Sequence, residues 1–103
     1  MKTCITCGMP FAGPHANDIA LETSEGPVCV YDVKDGQMRK SEEIFEGGVQ
    51  FFASKIADGD RALAERLTRK NMKSLSYWQA HPFPELEGPE ATDEEFRRMM
   101  AIL

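Results

Sequence analysis

The sequence predicts a small α+β protein: a short cysteine-bearing β segment, then a helical hairpin and a short C-terminal helix. Three observations carry this reading. Gly8, Pro10, Gly13, Pro14, Gly26 and Pro27 punctuate the first 40 residues at intervals too short for a long helix. Apolar residues then recur at helical spacing through 41–81. Prolines at 82, 84 and 89 separate that region from a last amphipathic stretch. With 103 residues, of which 42 % are hydrophobic, the stretches 1–40, 41–81 and 82–103 are expected to form one compact unit.

The β segment rests on Val28-Cys29-Val30-Tyr31-Asp32-Val33, which is β-branched and aromatic and predicts a strand. Asp35-Gly36 follows it and predicts a tight hairpin turn into Gln37–Lys40. Residues 19–23, Ile-Ala-Leu-Glu-Thr, are a further short strand candidate. Ser41 is read as the N-cap of the first helix, with Glu42 and Glu43 where the helix dipole favours acids. Phe45, Val49, Phe52 and Ile56 form one helical face. Gly47-Gly48 interrupts it at a cost of roughly 1 kcal/mol each against Ala, so either the helix begins later or another backbone packs closely there. Gly59 is the expected C-terminal cap, and Asp60 the cap of a second helix reaching His81 with a buried stripe of Leu63, Leu67, Leu75 and Trp78. Thr92-Asp93-Glu94-Glu95 matches a capping box, followed by Phe96, Met99, Met100 and Leu103 on one side of a short helix.

Composition narrows the function classes. Twelve Lys+Arg against 17 Asp+Glu gives a net charge of −5, which disfavours a generic coat on duplex DNA. The apolar runs Val28–Tyr31 and Met99–Leu103 fall far short of the ~18 residues a membrane span needs. Met1-Lys2-Thr3-Cys4 offers no apolar leader, so a cytoplasmic location without membrane contact is expected. No Gly-rich phosphate loop, Ser/His/Asp set or H-E-x-x-H is present.

The three cysteines are the most informative feature. Cys4 and Cys7 stand at i and i+3 with Gly8 behind them, a turn in which two thiolates can grip one tetrahedral ion. A redox pair of the same spacing follows a strand and opens a helix, whereas Pro10 and Gly13-Pro14 prevent a helix here, so metal is favoured. Cys29 supplies a third donor. Asp32 stands three residues beyond it, repeating the Cys4-to-Cys7 spacing with a carboxylate in the last place. Three thiolates and one carboxylate carry the formal charge of four thiolates, and carboxylate oxygen belongs to zinc's ligand set. His15 and water are the other candidates for the fourth place.

Cys4-Ile5-Thr6-Cys7-Gly8-Met9-Pro10, Cys29-Val30-Tyr31-Asp32, Asp35-Gly36, Ser41-Glu42-Glu43-Ile44 and Ser76-Tyr77-Trp78 resemble the putative zinc ribbon domain proteins of bacteria and archaea. Their pattern opens C-x2-C-G-M-P and continues C-x-Y-C, an Asn/Asp-Gly turn and an acidic, apolar helix. The resemblance spans roughly residues 4–80 and implies zinc on a ribbon with trailing helices, the family's biological role being undefined. Asp32 departs from it, standing where the family has cysteine.

Arg66, Arg69, Lys70 and Lys73 form a basic stripe at i, i+3, i+4 and i+7, either a partner-binding surface or a solvated face paired with Glu42, Glu43 and Glu46 across the hairpin. His81 suits the C-terminal dipole of its helix. Phe45, Phe51, Phe52 and Trp78 are expected in the core rather than around a ligand. The expected function is a zinc-ribbon-like structural or interaction module with no catalysis of its own. Its expected partner is another protein or a second copy, and iron is the lesser metal. Two further readings remain: a thiol-redox or metal-dependent enzyme using Cys4, Cys7 and Cys29, and a nucleic-acid-binding ribbon using the basic stripe.

Overall fold

A computed structural model describes residues 2–103. The fold is α+β, with short antiparallel strands followed by helices. Strands β1 (Ile19–Thr23) and β2 (Gly26–Cys29) form one two-stranded sheet, with Leu21 opposite Val28 and Thr23 opposite Gly26. Thr23 Oγ1 closes their turn by accepting from the N–H groups of Glu25 and Gly26, both at 3.1 Å. Gly26 is required there: its φ is +134°, and a Cβ would meet Ile5 Cγ2 at 2.6 Å. Strands β3 (Val33–Lys34) and β4 (Gln37–Met38) form a second sheet. Asp35 (φ 54°) and Gly36 (φ 79°) turn between them, both left-handed as a two-residue hairpin demands.

The hairpin at Asp35-Gly36 is present, but the strand expected across 28–33 is not continuous. A 3₁₀ turn at Val30–Asp32 breaks it, and β2 pairs with residues 19–23 rather than with 37–40. The reason is geometric. Alternate residues of a strand face opposite ways, so Cys29 and Asp32 would diverge. A 3₁₀ turn eclipses i and i+3 and puts both side chains on one side.

Helix α1 (Ser41–Lys55) begins one residue earlier than expected, with Lys40 as its N-cap and Glu43 Oε1 accepting from the Lys40 N–H at 3.1 Å. It ends through Ile56, and the left-handed Asp58 and Gly59 reverse the chain, the Gly59 N–H reaching Ala53 O at 2.8 Å. Asp60 Oδ1 then caps α2 (Arg61–Lys73) from the N–H of Leu63 at 3.1 Å. The helices pack as a hairpin, and Gly48 lies against Thr68 of α2: a Cβ there would stand 2.9 Å from Thr68 Cγ2. Gly47 faces open space.

The second helix does not run on to His81. Ser74 Oγ donates to Asn71 O at 2.6 Å, Leu75 is extended, and a separate helix α3 (Ser76–Ala80) follows. Serines on both sides of Leu75 offer the backbone local alternatives to helix. Of the expected stripe, Leu67 and Trp78 are buried, while Leu63 and Leu75 are partly covered. Phe51 differs from expectation: it is 46 % exposed and lies outside the core.

Residues 82–92 carry a 3₁₀ turn at Pro84–Leu86 and lie against α2. Leu86 and Ala91 enter the same core as Phe45, Phe52 and Leu67, and the Ala91 N–H donates to Arg66 O at 3.0 Å. Helix α4 (Asp93–Met100) is capped by Thr92 Oγ1, which accepts from the N–H of Glu95 at 3.1 Å. Phe96, Met99 and Met100 pack inward, while Leu103 lies past the helix end and is exposed. No helix among the described residues is long and apolar enough to cross a membrane.

Candidate metal centre

Two local structures aim the donors. Cys4 and Cys7 sit in a tight loop closed by the Gly8 N–H on Cys4 O at 2.8 Å and the Cys4 N–H on Met9 O at 2.9 Å, with Gly8 at φ +82°. Cys29 ends β2, and the 3₁₀ turn behind it presents Asp32. The loop is registered on the sheet by the Ile5 N–H on Pro27 O at 3.0 Å, and the Cys29 N–H donates to Cys4 Sγ at 3.3 Å.

One donor atom from each of Cys4, Cys7, Cys29 and Asp32 lies within 4.8 Å of all the others. Cys7 Sγ and Cys29 Sγ are 3.7 Å apart, and Cys4 Sγ is 3.8 Å from Asp32 Oδ2. Thiolates bound at ~2.3 Å to one tetrahedral ion stand ~3.8 Å apart, so the Cys7–Cys29 edge has the size of such a shell, and the Cys4–Asp32 edge is slightly longer than the ~3.5 Å of a sulfur–oxygen edge. Cys4 and Cys29 are fully buried, Asp32 is 7 % exposed, and Cys7 is half-buried. The donor set and its spacing fit a single metal ion.

The electrostatics agree. Hydrogen bonding with Cys29, and then with Cys7, holds the Cys4 thiol far below its usual range. Cys7 is pushed far above it, first by Cys29 and then by Cys4, and Cys29 is pushed up to about 12, chiefly by Cys4. Burial raises the Asp32 carboxyl to about 6, against the opposing hydrogen bond from Thr6. A dication held by these groups would supply the opposite charge that lets all four ionise.

Three groups around the centre were not legible as site residues. Thr6 Oγ1 donates to Asp32 Oδ2 at 2.6 Å. Trp78 Nε1 donates to Thr6 O at 2.9 Å, and Asn71 Nδ2 to Cys7 O at 2.9 Å, so the helices hold the cysteine loop by its carbonyls. Spacing alone gives no signal for the Trp78 and Asn71 contacts, because they arise only once the helices dock, nor for Thr6, which meets Asp32 only when the two turns come together. His15 is not in the cluster; its Nδ1 is 2.8 Å from Asp18 Oδ2. His81 Nε2 pairs with Glu25 Oε2 at 2.9 Å and tethers the β1–β2 turn to α3.

The basic stripe meets the chain's own C-terminal segment. Arg66 pairs with Glu95 at 3.2 Å, Lys73 with Glu90 at 2.8 Å, and Lys70 with Asp93. Arg69 donates to Glu85 O at 2.9 Å and Pro89 O at 3.1 Å, and its guanidinium lies over the Phe45 ring. The expected pairing with Glu42, Glu43 and Glu46 across the hairpin does not occur. Glu46 instead binds Arg61, Glu43 reaches Lys40 and Arg39, and Glu42 accepts from Ser41. The stripe faces residues 85–95, which cover the side of α2 that α1 leaves open.

Short antiparallel strands carrying a thiol-rich donor cluster, with helices behind them, define a small ribbon protein with a candidate metal site. The chain belongs to the family described as "putative zinc ribbon domain", whose model matches residues 3–79. The segment that covers the basic stripe lies beyond that match. No curated protein and no solved structure matches the chain.

Proposed function

We propose that Cys4, Cys7, Cys29 and Asp32 hold one zinc ion in a closed structural site, and that the protein is a small interaction or regulatory module without chemistry of its own. The observation that carries this is the convergence of four donor atoms within 4.8 Å, enough to fill a tetrahedral shell from the protein alone. A bound zinc ion supplies the charge that keeps the thiols ionised. The chain's part is to hold the donors: the Cys29 N–H steadies Cys4 Sγ, and burial excludes water from Cys4 and Cys29. The convergence of four protein donors, rather than three, supports this reading over an enzyme with an open metal position. Engagement of all four stripe cations by residues 85–95 supports a role for them within the fold rather than on nucleic acid. Three cysteines, an odd count with Cys4 and Cys7 only three residues apart, fit metal binding in a reducing compartment such as the cytoplasm, and the partner is read as another protein or a second copy.

Elemental analysis with native mass spectrometry of the full chain tests the reading: one zinc per chain is expected, and metal-free or iron-coloured protein would refute it. Asp32→Ala should then weaken zinc, Asp32→Cys should keep or tighten it, and His15→Ala should change little. Loss of metal in His15→Ala with none in Asp32→Ala would reassign the fourth ligand.

A further inference from the structure

Thr6 occupies an unexpected position. A threonine between two cysteines of a tight loop would ordinarily face water, yet Thr6 is fully buried. Its hydroxyl lies between two donors of the metal cluster, 2.6 Å from Asp32 Oδ2 and 3.1 Å from Cys4 Sγ. The hydroxyl has one proton, and the shorter contact, to a carboxylate, claims it. Cys4 Sγ has a donor of its own in the Cys29 N–H.

A carboxylate needs this assistance where a thiolate does not. A cysteine offers one sulfur, whose place is set once χ1 is set. An aspartate offers two oxygens about a broad, two-fold χ2, so its plane must be fixed by something else. Among the described residues, Thr6 is the side chain that donates to the Asp32 carboxylate with a short hydrogen bond. Thr6 is itself held in place, its carbonyl accepting from Trp78 Nε1 and its loop docked through Asn71 on Cys7 O.

We infer that Thr6 is a positioning residue of the metal centre, whose hydroxyl fixes the Asp32 carboxylate as fourth ligand and so makes a carboxylate workable beside three thiolates. The inference rests on the zinc reading above. Partners of this kind, bonded to a ligand rather than to the metal, typically change metal affinity by about 10–100-fold.

The test uses the full chain and two probes, zinc affinity by competition with a chromophoric chelator and the visible spectrum of the cobalt(II) form. Thr6→Val should weaken zinc by about 10–100-fold and shift the cobalt bands, and Thr6→Ser should restore both. The same Thr6→Val change in an Asp32→Cys background should cost little, because no carboxylate is left to orient. Equal losses in the two backgrounds, or a Thr6→Ser variant as weak as Thr6→Val, would show that Thr6 only packs the loop and would overturn the inference. If Thr6→Val does not fold, Thr6→Ser decides it: a wild-type cobalt spectrum and affinity support the hydroxyl, and a shifted spectrum with lost affinity overturns it. Wild-type protein that takes up neither zinc nor cobalt would instead remove the zinc reading itself.

Discussion

Residues 2–40 and residues 41–103 are held together by different physics. The helical part buries a contiguous apolar cluster that includes Phe45, Val49, Phe52, Leu67, Met72 and Trp78. In the ribbon the buried apolar residues are Cys4, Val28 and Cys29, two of them thiols of the candidate metal site. Its strands are two to five residues long, and isolated two-stranded sheets of that length are marginal in water. The helices have a hydrophobic reason to fold. The ribbon has a cluster of donors that resist ionising together, and hence a reason to bind a cation. Besides the contacts of Arg39 and Lys40 with Glu43 at the chain crossing, and Met38, which packs against both clusters, the two are joined by Trp78 Nε1 on Thr6 O, Asn71 Nδ2 on Cys7 O, the His81–Glu25 pair, and Tyr77 Oη on Met38 Sδ at 3.4 Å.

The largest effect should come from removing the metal. In sites of this type the binding energy is folding energy, on the order of 10 kcal/mol. A chelator should abolish amide protection in β1, β2 and the Cys4–Cys7 loop while α1 and α2 keep most of theirs. Far-ultraviolet circular dichroism should fall little, and Trp78 fluorescence should shift as its indole N–H loses Thr6 O. Acid should act in the same direction, because the ligands must be deprotonated to bind. Equal loss of protection in both regions would show that the ribbon and helices fold as one.

The converse experiment attacks the helices. Leu67 is fully buried in the core that also holds Phe45, Phe52 and Leu86, so Leu67→Ala should cost about 2–5 kcal/mol. The melting temperature should fall steeply while folded protein still binds one equivalent of zinc. A smaller effect is expected where the regions meet. Trp78→Phe removes the donor to Thr6 O and leaves a buried carbonyl without it, at about 1–3 kcal/mol. Hydrogen exchange should then speed up in the cysteine loop as well as in α3. A change confined to α3 would mean that the contact transmits nothing to the metal centre.

How much of this was legible depends on whether the signal was local. The turn at Asp35-Gly36, the caps at Asp60 and Thr92, and the four donors could be read from short-range pattern, because backbone sign, cap chemistry and i, i+3 spacing are local properties. The strand through Val28–Val33 conflicted with the Cys29–Asp32 knuckle in the same residues, and the knuckle geometry prevailed. The break at Ser74-Leu75 was hidden because Leu67, Leu75 and Trp78 keep helical spacing across it. The acids that meet Arg66, Lys70 and Lys73 come from residues 90–95, and nothing in the spacing of α2 indicates which segment will cover it.

The smallest effect concerns the ion pair that bridges α1 and α2 at the surface. Arg61 donates to both Glu46 carboxylate oxygens, at 2.7 and 2.9 Å, and its Nε reaches Glu65 Oε2 at 3.0 Å. The Arg61 hydrogen bonds, with help from Gln50, lower the Glu46 carboxyl from 4.5 to about 2. The sign follows directly. A carboxyl whose folded value is depressed contributes stability that is fully present above its unfolded value and is lost as pH falls through the folded one. The contribution should therefore be constant above pH ~5 and fade between there and pH 2. Both side chains are about half exposed, so solvent and salt screen the pair and its weight is small. Acid titration of the wild-type protein would be dominated by loss of the metal, so the measurement belongs in the difference between wild type and Glu46→Gln. That difference should be slight at neutral pH, shrink further towards pH 2, and vanish in 1 M salt, whose Debye length is about 3 Å. A difference that persists in high salt would mean that Glu46 and Arg61 act through packing across the helical hairpin, and the helices would then owe part of their independence from the metal to polar contacts as well as to Leu67 and its neighbours.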